Sequence, residues 1–241
     1  MSDLLDGLLL SDGNLTVPGQ CKHPRYQQTC KEPLFLEWVA SWLPTPSKIK
    51  GPQQSGRYQY WFLYTPTSDA YRRDFDRWYP DGKHIPDDLI ITPAVLLGEY
   101  LGDGCLSTAG VCQRIEFGTY GFERSEVEAL REKLCQVNLP FTLSKRGHLT
   151  LRGGLVKRFL EYIGPCPVES LAYKWKAHVV EDIAWREIIS AVNTPKLFGI
   201  GERVRITLEC GHVHDRSRSR LRSTKTNKTK CPSCEMSLGC S

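Results

Sequence analysis

The sequence predicts an α+β protein of two pseudo-symmetric αββαββα halves around a central two-helix interface, followed by a small C-terminal module. The first observation is that residues 5–13 and 96–104 are copies of one pattern, an apolar helical stretch with an internal glycine and a final Asp-Gly. The second is that the elements predicted after each copy follow the same order, with 91 residues (103 − 12) between Asp12 and Asp103. The third is that Cys and His residues gather near the end of the chain.

The glycine inside each copy predicts that two helices pack very closely. Gly7 and Gly98 interrupt apolar helices, where glycine costs roughly 0.5–1 kcal/mol relative to alanine. A second backbone passing nearby is the best explanation for such a glycine. Asp12 and Asp103 fall in the last helical turn, where the helix dipole disfavours an anion, so these carboxylates indicate a bound cation. Packing of the two helices would bring both carboxylates together on one surface.

The remaining elements are predicted from the spacing of apolar residues, which is helical in some segments and alternating in others. In the first half, residues 1–90, strands are predicted at 14–17, 25–29, 48–50 and 57–65, and helices at 34–43 and 69–78. In the second half, residues 91–178, strands are predicted at 105–108, 112–119, 141–144 and 148–152, and helices at 125–139 and 155–163. A linker helix is predicted at 179–195, because its Val and Ile residues have helical spacing, and a basic module at 196–241.

Alternation gives each predicted strand one apolar and one polar face. In the strand at 57–65, Tyr58, Tyr60, Phe62 and Tyr64 are expected on the apolar face and the Arg and Gln residues opposite. Polar faces of this kind are either the solvated side of an antiparallel sheet or a surface that reads base edges in the major groove of DNA. The duplicated helices favour the second interpretation. The candidate DNA contacts are Arg25, Gln27, Lys48, Lys50, Arg57, Gln59, Arg114, Glu116, Thr142, Ser144, Arg146, His148, Thr150 and Arg152.

The charge of the chain is concentrated at its C-terminus. The net charge is +5, and residues 196–241 hold 10 of the 32 Lys and Arg and 4 of the 27 Asp and Glu, which leaves 22 against 23 elsewhere. This distribution indicates a polyanionic partner. No apolar run approaches the ~20 residues that span a bilayer, and the start lacks a signal peptide. We therefore expect no membrane association and a cytoplasmic protein, or an organellar one if organelle-encoded, whose 10 cysteines form no disulfide framework.

The duplicated segments resemble the motif of the LAGLIDADG homing endonucleases. Residues 78–86 (WYPDGKHIP) are similar to a segment of the intron-encoded members, and residues 173–175 (YKW) to their closing motif, so the resemblance covers about residues 4–176. Two copies in one chain are similar to the double-motif, monomeric type. The resemblance implies antiparallel DNA-binding sheets and Mg²⁺-dependent cleavage of both strands across the minor groove, with short 3′ overhangs, at a long asymmetric site. Asp6, Glu99 and Tyr100 depart from the pattern, which has small or aliphatic residues there.

Phosphodiester hydrolysis needs an in-line water and stabilisation of charge on the leaving oxygen, and divalent metals held by carboxylates supply both. Asp12 and Asp103, with Gly13 and Gly104 beside them, are therefore the candidate Mg²⁺ site. The alternative is that each Asp only caps a turn.

A basic residue near the active site of the family matches Lys83 and Lys174, each 71 residues after its Asp (83 − 12 and 174 − 103). Such a lysine could polarise the scissile phosphate or the attacking water; Lys176 is a rival in the second half, and surface salt bridging is the alternative role. Gln28 and Thr119 each follow their Asp by 16 residues (28 − 12 and 119 − 103) and could position water.

The C-terminal module is predicted to be a zinc-ribbon-like unit. A Cys-x-His pair and a Cys-x-x-Cys pair have the spacing of tetrahedral Zn²⁺ ligands, and a metal would hold together a segment with little core. The predicted ligands are Cys210, His212, Cys231 and Cys234, with His214 as a substitute for His212. Free cysteines in an unstructured tail are the alternative. The intervening residues Arg216, Arg218 and Arg220 suit phosphate contacts, or else form a solvated loop.

Three functions are therefore compared. A site-specific homing endonuclease is the leading hypothesis, because both acids are retained. An RNA-binding intron maturase is the second, since some relatives have that role, and a non-cleaving DNA-binding regulator on the same scaffold is the third. Loss of Asp12 or Asp103 would have favoured the last of these.

Overall fold

The structure, a computed structural model, describes residues 2–107, 113–176, 185–193, 203–208, 211, 213–217 and 228–230. The chain divides into two units, Met1–His178 and Val179–Ser241. Among the described residues, the helices lie in the first unit and the second unit contains strands. Within the described residues, no helix combines the length and the hydropathy that a membrane crossing requires.

Each half of the first unit has the same order of elements. The first half contains α1 Ser2–Leu10, β1 Asn14–Thr16, β2 Arg25–Cys30, α2 Pro33–Trp42, β3 Lys48–Ser55, β4 Tyr58–Tyr64, a 3₁₀ turn Asp69–Tyr71 and α3 Arg72–Trp78. The second half contains α4 Pro93–Gly102, β5 Cys105–Ser107, β6 Arg114–Phe117, α5 Arg124–Gln136, β7 Thr142–Leu143, β8 Leu149–Arg152, α6 Gly154–Ile163 and a 3₁₀ segment Glu169–Trp175.

The two sheets of the first unit have equivalent antiparallel topologies. The strand order is β1-β2-β4-β3 in the first half and β5-β6-β8-β7 in the second, and each pair is antiparallel. The predicted α+β class with antiparallel sheets is therefore confirmed. Helical and alternating spacing both report burial on one side of an element, which explains why these elements were predictable.

Helices α1 and α4 pack against each other through glycine, as the motif predicts. A Cβ atom on Gly7 would overlap the backbone carbonyl of Val95, and one on Gly98 would lie 2.9 Å from the backbone of Gly7. Further along, a Cβ on Gly102 would overlap the side chain of Ser11. Close approach of two backbones thus excludes side chains at these positions and accounts for the glycines that helix propensity disfavours.

A buried ionic network fixes α1 to α3. Asp6, which stands where the family has a small residue, is 6% exposed. It accepts hydrogen bonds from Arg77 Nη1 (2.6 Å) and Trp78 Nε1 (2.8 Å), and Arg77 Nε donates to Asp88 Oδ1 (2.6 Å). A buried carboxylate needs such partners, so this departure from the motif has a structural explanation.

The segment that connects the halves, residues 79–92, is fastened to the second half. The backbone N–H of Ile85 donates to Glu126 Oε1 (2.8 Å), and Lys133 Nζ donates to the Asp87 carbonyl (2.6 Å). Both partners lie on α5. At the end of the segment, Thr92 caps α4 by accepting from the Val95 N–H (3.3 Å), which satisfies one of the free donors of the first turn.

The second unit differs from its prediction. Instead of the linker helix predicted at 179–195, the described part of that range is strand β9, Trp185–Asn193. It pairs with β10 Arg203–Leu208 and β12 Lys228–Lys230, and β10 pairs with β11 Val213–Ser217, in the order β11-β10-β9-β12. The Val and Ile residues of β9 favour strands, although their spacing also fits a helix. In the second unit, the buried residues Val204, Ile206 and Leu208 of β10 form a small core with Ile188.

The face assignment predicted for β4 is also wrong. Leu63 is buried in the core and Trp61 packs against it, so the aromatic row Tyr58, Tyr60, Phe62 and Tyr64 lies on the opposite, open face. Alternation then places Gln59 on the side of Leu63, away from the open face. Apolar residues occupy both faces of this strand, so alternation alone could not select the buried one.

Candidate active site

The two motif aspartates meet at the ends of the paired helices. Asp103 caps the C-terminus of α4, where its backbone N–H donates to the Glu99 carbonyl (3.0 Å), and Asp12 lies in the turn after α1. The pKa of Asp103 is raised to about 6, first by burial and then by the negative charge of Asp12 and a hydrogen bond to it. Two carboxyl groups that share a site in this way resist double ionisation.

The donor set at this pair fits Mg²⁺. Carboxylate oxygens are hard ligands, and a cation between them would relieve the repulsion that raises the pKa of Asp103. In the part of the chain that the structure describes, no group of three or more His, Cys, Asp or Glu side chains is placed to hold a metal. A Mg²⁺ ion held by one or two carboxylates keeps several waters and binds substrate phosphates, so two aspartates suffice.

Lys83 lies against the carboxyl end of α1 and its turn. Its Nζ donates to the carbonyl oxygens of Ser11 (2.9 Å) and Gly13 (3.0 Å), the residues on either side of Asp12. Burial lowers the pKa of Lys83, while Glu99, Asp103 and then Asp12 act in the opposite direction. The predicted metal ligand at Gly13 is therefore a carbonyl that already binds an ammonium group.

Lys174 holds the equivalent place at the end of α4. It is 7% exposed, and burial lowers its pKa. All three N–H groups of an ammonium have partners here, because Nζ donates to the carbonyl oxygens of Tyr100 (3.1 Å), Leu101 (2.8 Å) and Gly102 (3.3 Å). Direct contact with the scissile phosphate or the attacking water, the two roles considered from the sequence, would require Lys174 to release one of these carbonyls.

Gly104 follows Asp103 in a crowded turn. A Cβ atom there would overlap the ring and backbone of Tyr100. The ring of Tyr100 packs edge-on against Phe159 (5.2 Å between centroids) and Trp175 (5.1 Å). The structure thus gives Gly104 a packing role in shaping the turn that carries Asp103.

The side-chain amide of Gln28 is buried, and its Nε2 group has no hydrogen-bond partner among the described residues. It is 3% exposed, and its Oε1 accepts from the Tyr26 hydroxyl (2.7 Å). Its Nε2 has no partner, although buried donors are nearly always paired. Gln28 lines the same groove as Asp12, where the predicted role in positioning water remains available to it. The hydroxyl of Thr119, its counterpart by spacing, donates to the Gly147 carbonyl.

The open face of the first sheet forms a groove beside Asp12. The groove has a volume of ≈ 630 Å³. Three of its lining residues, Arg25, Gln27 and Lys50, were predicted to contact DNA, and Phe62 and Tyr64 complete the same wall. Lys48 pairs with Tyr64 at the edge strand. The guanidinium of Arg57 lies 5.0 Å from the ring centroid of Tyr58, at the turn of the hairpin.

The second sheet presents fewer free side chains. Arg114 Nε lies 3.3 Å from Glu116 Oε1 in an ion pair, and Thr142 Oγ1 donates to the Thr150 carbonyl (3.1 Å). Thr150 is only 4% exposed, so its predicted contact with DNA is wrong, because a buried side chain on β8 cannot reach a base. Four further candidates lie on or beside the β7–β8 hairpin: Ser144, Arg146, His148 and Arg152, of which Arg146 and Arg152 are exposed.

The sequence reasoning missed two features of the site. Glu99 is 2% exposed and its Oε2 has no hydrogen-bond partner among the described residues. Burial and then the charge of Asp103 raise its pKa well above the usual value. An acid inside an apolar motif was the available signal. The second feature is Lys31, whose Nζ lies 3.6 Å from the ring centroid of Tyr58.

The predicted zinc site lies outside the described residues, which do not include Cys210, His212, Cys231 or Cys234, nor Arg218 and Arg220. Arg216 belongs to the backbone of β11, and its side chain is likewise outside the description.

The chain is similar to several known proteins. The chain is 29% identical over 198 residues to an uncharacterized protein of Methanocaldococcus jannaschii, covering 75% of this chain and 74% of that protein. Its fold is similar to that of the homing endonuclease I-WcaI bound to its DNA recognition sequence, with a TM-score of 0.62, 20% identity, and coverage of 71% of this chain and 84% of the other. The N-terminal LAGLIDADG domain of DUF199/WhiA matches with a TM-score of 0.42 and 13% identity, over 68% and 82% of the two chains.

The family comparison covers more than half of the chain. The profile of the LAGLIDADG DNA endonuclease family matches residues 3–155, a range that includes both motif helices, both aspartates and most of the two sheets. The chain belongs to the LAGLIDADG DNA endonuclease family.

Proposed function

We propose that the protein is a homing endonuclease that makes a Mg²⁺-dependent double-strand break at a long, asymmetric DNA site. The observation that carries the proposal is the pairing of Asp12 and Asp103 at the ends of α1 and α4, beside an open sheet face lined by Arg25, Gln27 and Lys50. Membership of an endonuclease family supports it, as does the similar fold of I-WcaI, which is bound to its DNA recognition sequence.

The residues of the site divide the work of phosphodiester hydrolysis. Asp12 and Asp103 would hold Mg²⁺, which when bound polarises the phosphate and lowers the pKa of an attacking water. Gln28 offers its unpaired Nε2 to orient that water. Lys83 and Lys174 hold the carbonyls at the ends of the motif helices and so fix the positions of the two carboxylates. Sheet residues neutralise phosphates and read base edges.

Double-stranded DNA is the proposed partner and a monomer the proposed state, since both motifs are on one chain. Structured intron RNA is the alternative ligand. The C-terminal module is proposed to hold a structural Zn²⁺ and to add phosphate contacts, which strengthen binding without reading sequence.

Incubation of the full chain with a randomised double-stranded DNA library and Mg²⁺, followed by sequencing of cut ends, tests the proposal. We expect one long asymmetric site with short 3′ overhangs. Asp12→Asn and Asp103→Asn should each abolish cutting, whereas Asp87→Asn, at an exposed carboxylate of the connecting segment, should cut normally. Binding to structured RNA without any Mg²⁺-dependent DNA ends would refute cleavage and favour the maturase function.

A further inference from the structure

The two halves differ in the length of the second hairpin of each sheet. Strands β3 and β4 contain eight and seven residues, whereas β7 and β8 contain two and four. At about 3.4 Å per residue, β4 extends about 10 Å further than β8. That length corresponds to about three base pairs of B-DNA, because phosphates of one strand are spaced about 3.4 Å apart along the axis.

The extra length of the first hairpin is not explained by the protein core. Residues 51–59 are all exposed, and the core contacts of the hairpin come from Leu63, Ile49 and Trp61 near its base. An exposed two-stranded ribbon contributes little to stability on its own. The hairpin extension therefore has no evident folding role, and it continues the sheet that lines the groove beside Asp12.

The side chains on the extension suit base reading. Gln53 pairs with Tyr60 across the ladder, and Lys50 pairs with Phe62, so Gln53 shares the open face with Lys50 and the groove-lining Phe62. Gln54 pairs with Gln59 and lies on the opposite face. A glutamine amide both donates and accepts, which allows bidentate recognition of adenine.

The two hairpins carry similar charges, so both are expected to attract phosphates. We therefore expect the difference in hairpin length to affect recognition of base sequence. The turn of the first hairpin carries Arg57, whose guanidinium lies near Tyr58, and Lys31 approaches the same ring from β2. The turn of the second hairpin carries the exposed Lys145 and Arg146. Both ends can thus contact phosphates, and in the longer first hairpin Gln53 lies between the cations of the turn and the groove.

We propose that the two halves read DNA unequally: the β3–β4 hairpin recognises about three base pairs beyond the reach of the β7–β8 hairpin, and Gln53 is the residue that determines specificity at one of them. This inference rests on the proposed function, since it assumes that the open sheet faces lie on DNA. It identifies the half-site read by residues 1–90 as the longer one.

The test is a selection from randomised double-stranded DNA with the full chain, scored both as cut sequences with Mg²⁺ and as bound sequences without it. Sequence preference should extend about three base pairs further on one side of the cleavage point. Gln53→Ala should reduce discrimination at one outer base pair of that side by about 5- to 150-fold, the equivalent of a lost bidentate contact. The matched control Gln54→Ala, on the opposite face, should leave the profile unchanged.

A variant with a shortened β3–β4 hairpin tests whether residues 1–90 read the longer half-site. Replacement of residues 54–59 by Asn-Gly closes the ladder with a two-residue turn after the Gln53–Tyr60 pair. It should remove preference at about two base pairs of the longer side and preserve the melting temperature. Equal half-sites, or equal effects of Gln53→Ala and Gln54→Ala, would overturn the inference and leave the proposed endonuclease intact. Absence of any preferred sequence in both selections would overturn both.

Discussion

Lys174 stabilises the C-terminus of α4, where the carboxylate of Asp103 is otherwise unfavourable. A helix C-terminus carries a partial negative charge and unpaired carbonyls, and Asp103 adds a full negative charge there. The buried ammonium of Lys174 satisfies three of those carbonyls. Lys83 repeats the arrangement around Asp12 with two carbonyls. These lysines therefore hold the backbone that positions the two aspartates, and under the proposed function they would act on cleavage through that backbone.

Lys174→Met is expected to lower the free energy of unfolding by about 1–3 kcal/mol, because buried carbonyls lose their donors. Cleavage should slow while affinity for DNA is nearly unchanged. Urea unfolding, cleavage rates and binding measured side by side check this. Lys176→Met, at an exposed lysine two residues on, is the control, and an equal loss in that variant would contradict the positioning role.

Glu99→Leu is expected to stabilise the protein increasingly as pH rises. The raised pKa of Glu99 means that the folded state binds a proton more tightly than the unfolded state. Wild-type stability attributable to this carboxyl is therefore complete below its unfolded-state pKa and declines as pH rises towards the folded-state value. Leucine occupies the equivalent position, Leu8, in α1.

Thermal unfolding of wild type and Glu99→Leu at pH 5 and pH 8 measures this effect. The gain in melting temperature should be larger at pH 8. Glu37→Leu, at an exposed glutamate on α2, should show no pH-dependent gain. A gain that shrinks with rising pH would be incompatible with a buried carboxyl of raised pKa at position 99.

At the scale of elements, the α1–α4 contact sets the distance between the carboxylates of Asp12 and Asp103. Gly7→Ala is expected to destabilise the protein by several kcal/mol, on the order of the largest single-residue effects, because its Cβ would overlap the Val95 carbonyl. Chemical denaturation reports the loss. Gly154→Ala, in α6 with open space around the added Cβ, should be neutral or slightly stabilising. Equal behaviour of the two variants would exclude close backbone packing at Gly7.

The motif helices and most strands could be predicted because burial of one side of an element gives its sequence a periodic pattern of apolar residues. The glycines of α1 and α4 and the terminal aspartates even predicted a contact between distant segments. β9 could not be distinguished from a helix, because Val and Ile at mixed spacing fit both and its partners β10 and β12 are remote in sequence. The buried face of β4 depends on Leu63 meeting the core, which local alternation does not encode.

Site chemistry was less predictable than site location. Spacing placed Lys83 and Lys174 correctly near the aspartates. It could not reveal that backbone carbonyls of α4 and of the turn after α1 bind their ammonium groups, since hydrogen-bond partners depend on the packed geometry. The burial of Thr150 and the orientation of Gln59 are similarly consequences of the assembled sheets.

At the scale of the whole molecule, the chain consists of two units with different charge. A protein truncated after residue 178 is expected to unfold cooperatively and to select the same DNA sequence as the full chain. Its affinity should fall less steeply with salt, because residues 196–241 carry 10 of the 32 basic residues and each lost phosphate contact lowers the slope by about 1. Binding titrations at several salt concentrations check this. An altered target sequence would show that the C-terminal unit reads bases.

The hydrogen bonds between residues 79–92 and α5 bear on how the two halves came to share one chain. A repeat of this kind points to duplication and fusion of a gene whose product once assembled from two identical copies. The segment after the first copy has hydrogen-bond partners in the second: Glu126 accepts from the Ile85 N–H, and Lys133 donates to the Asp87 carbonyl. A protein of residues 1–90 alone would lack both hydrogen-bond partners. A dimer of that protein would carry the β3–β4 extension twice. A return to two separate copies would therefore remove both of these hydrogen bonds.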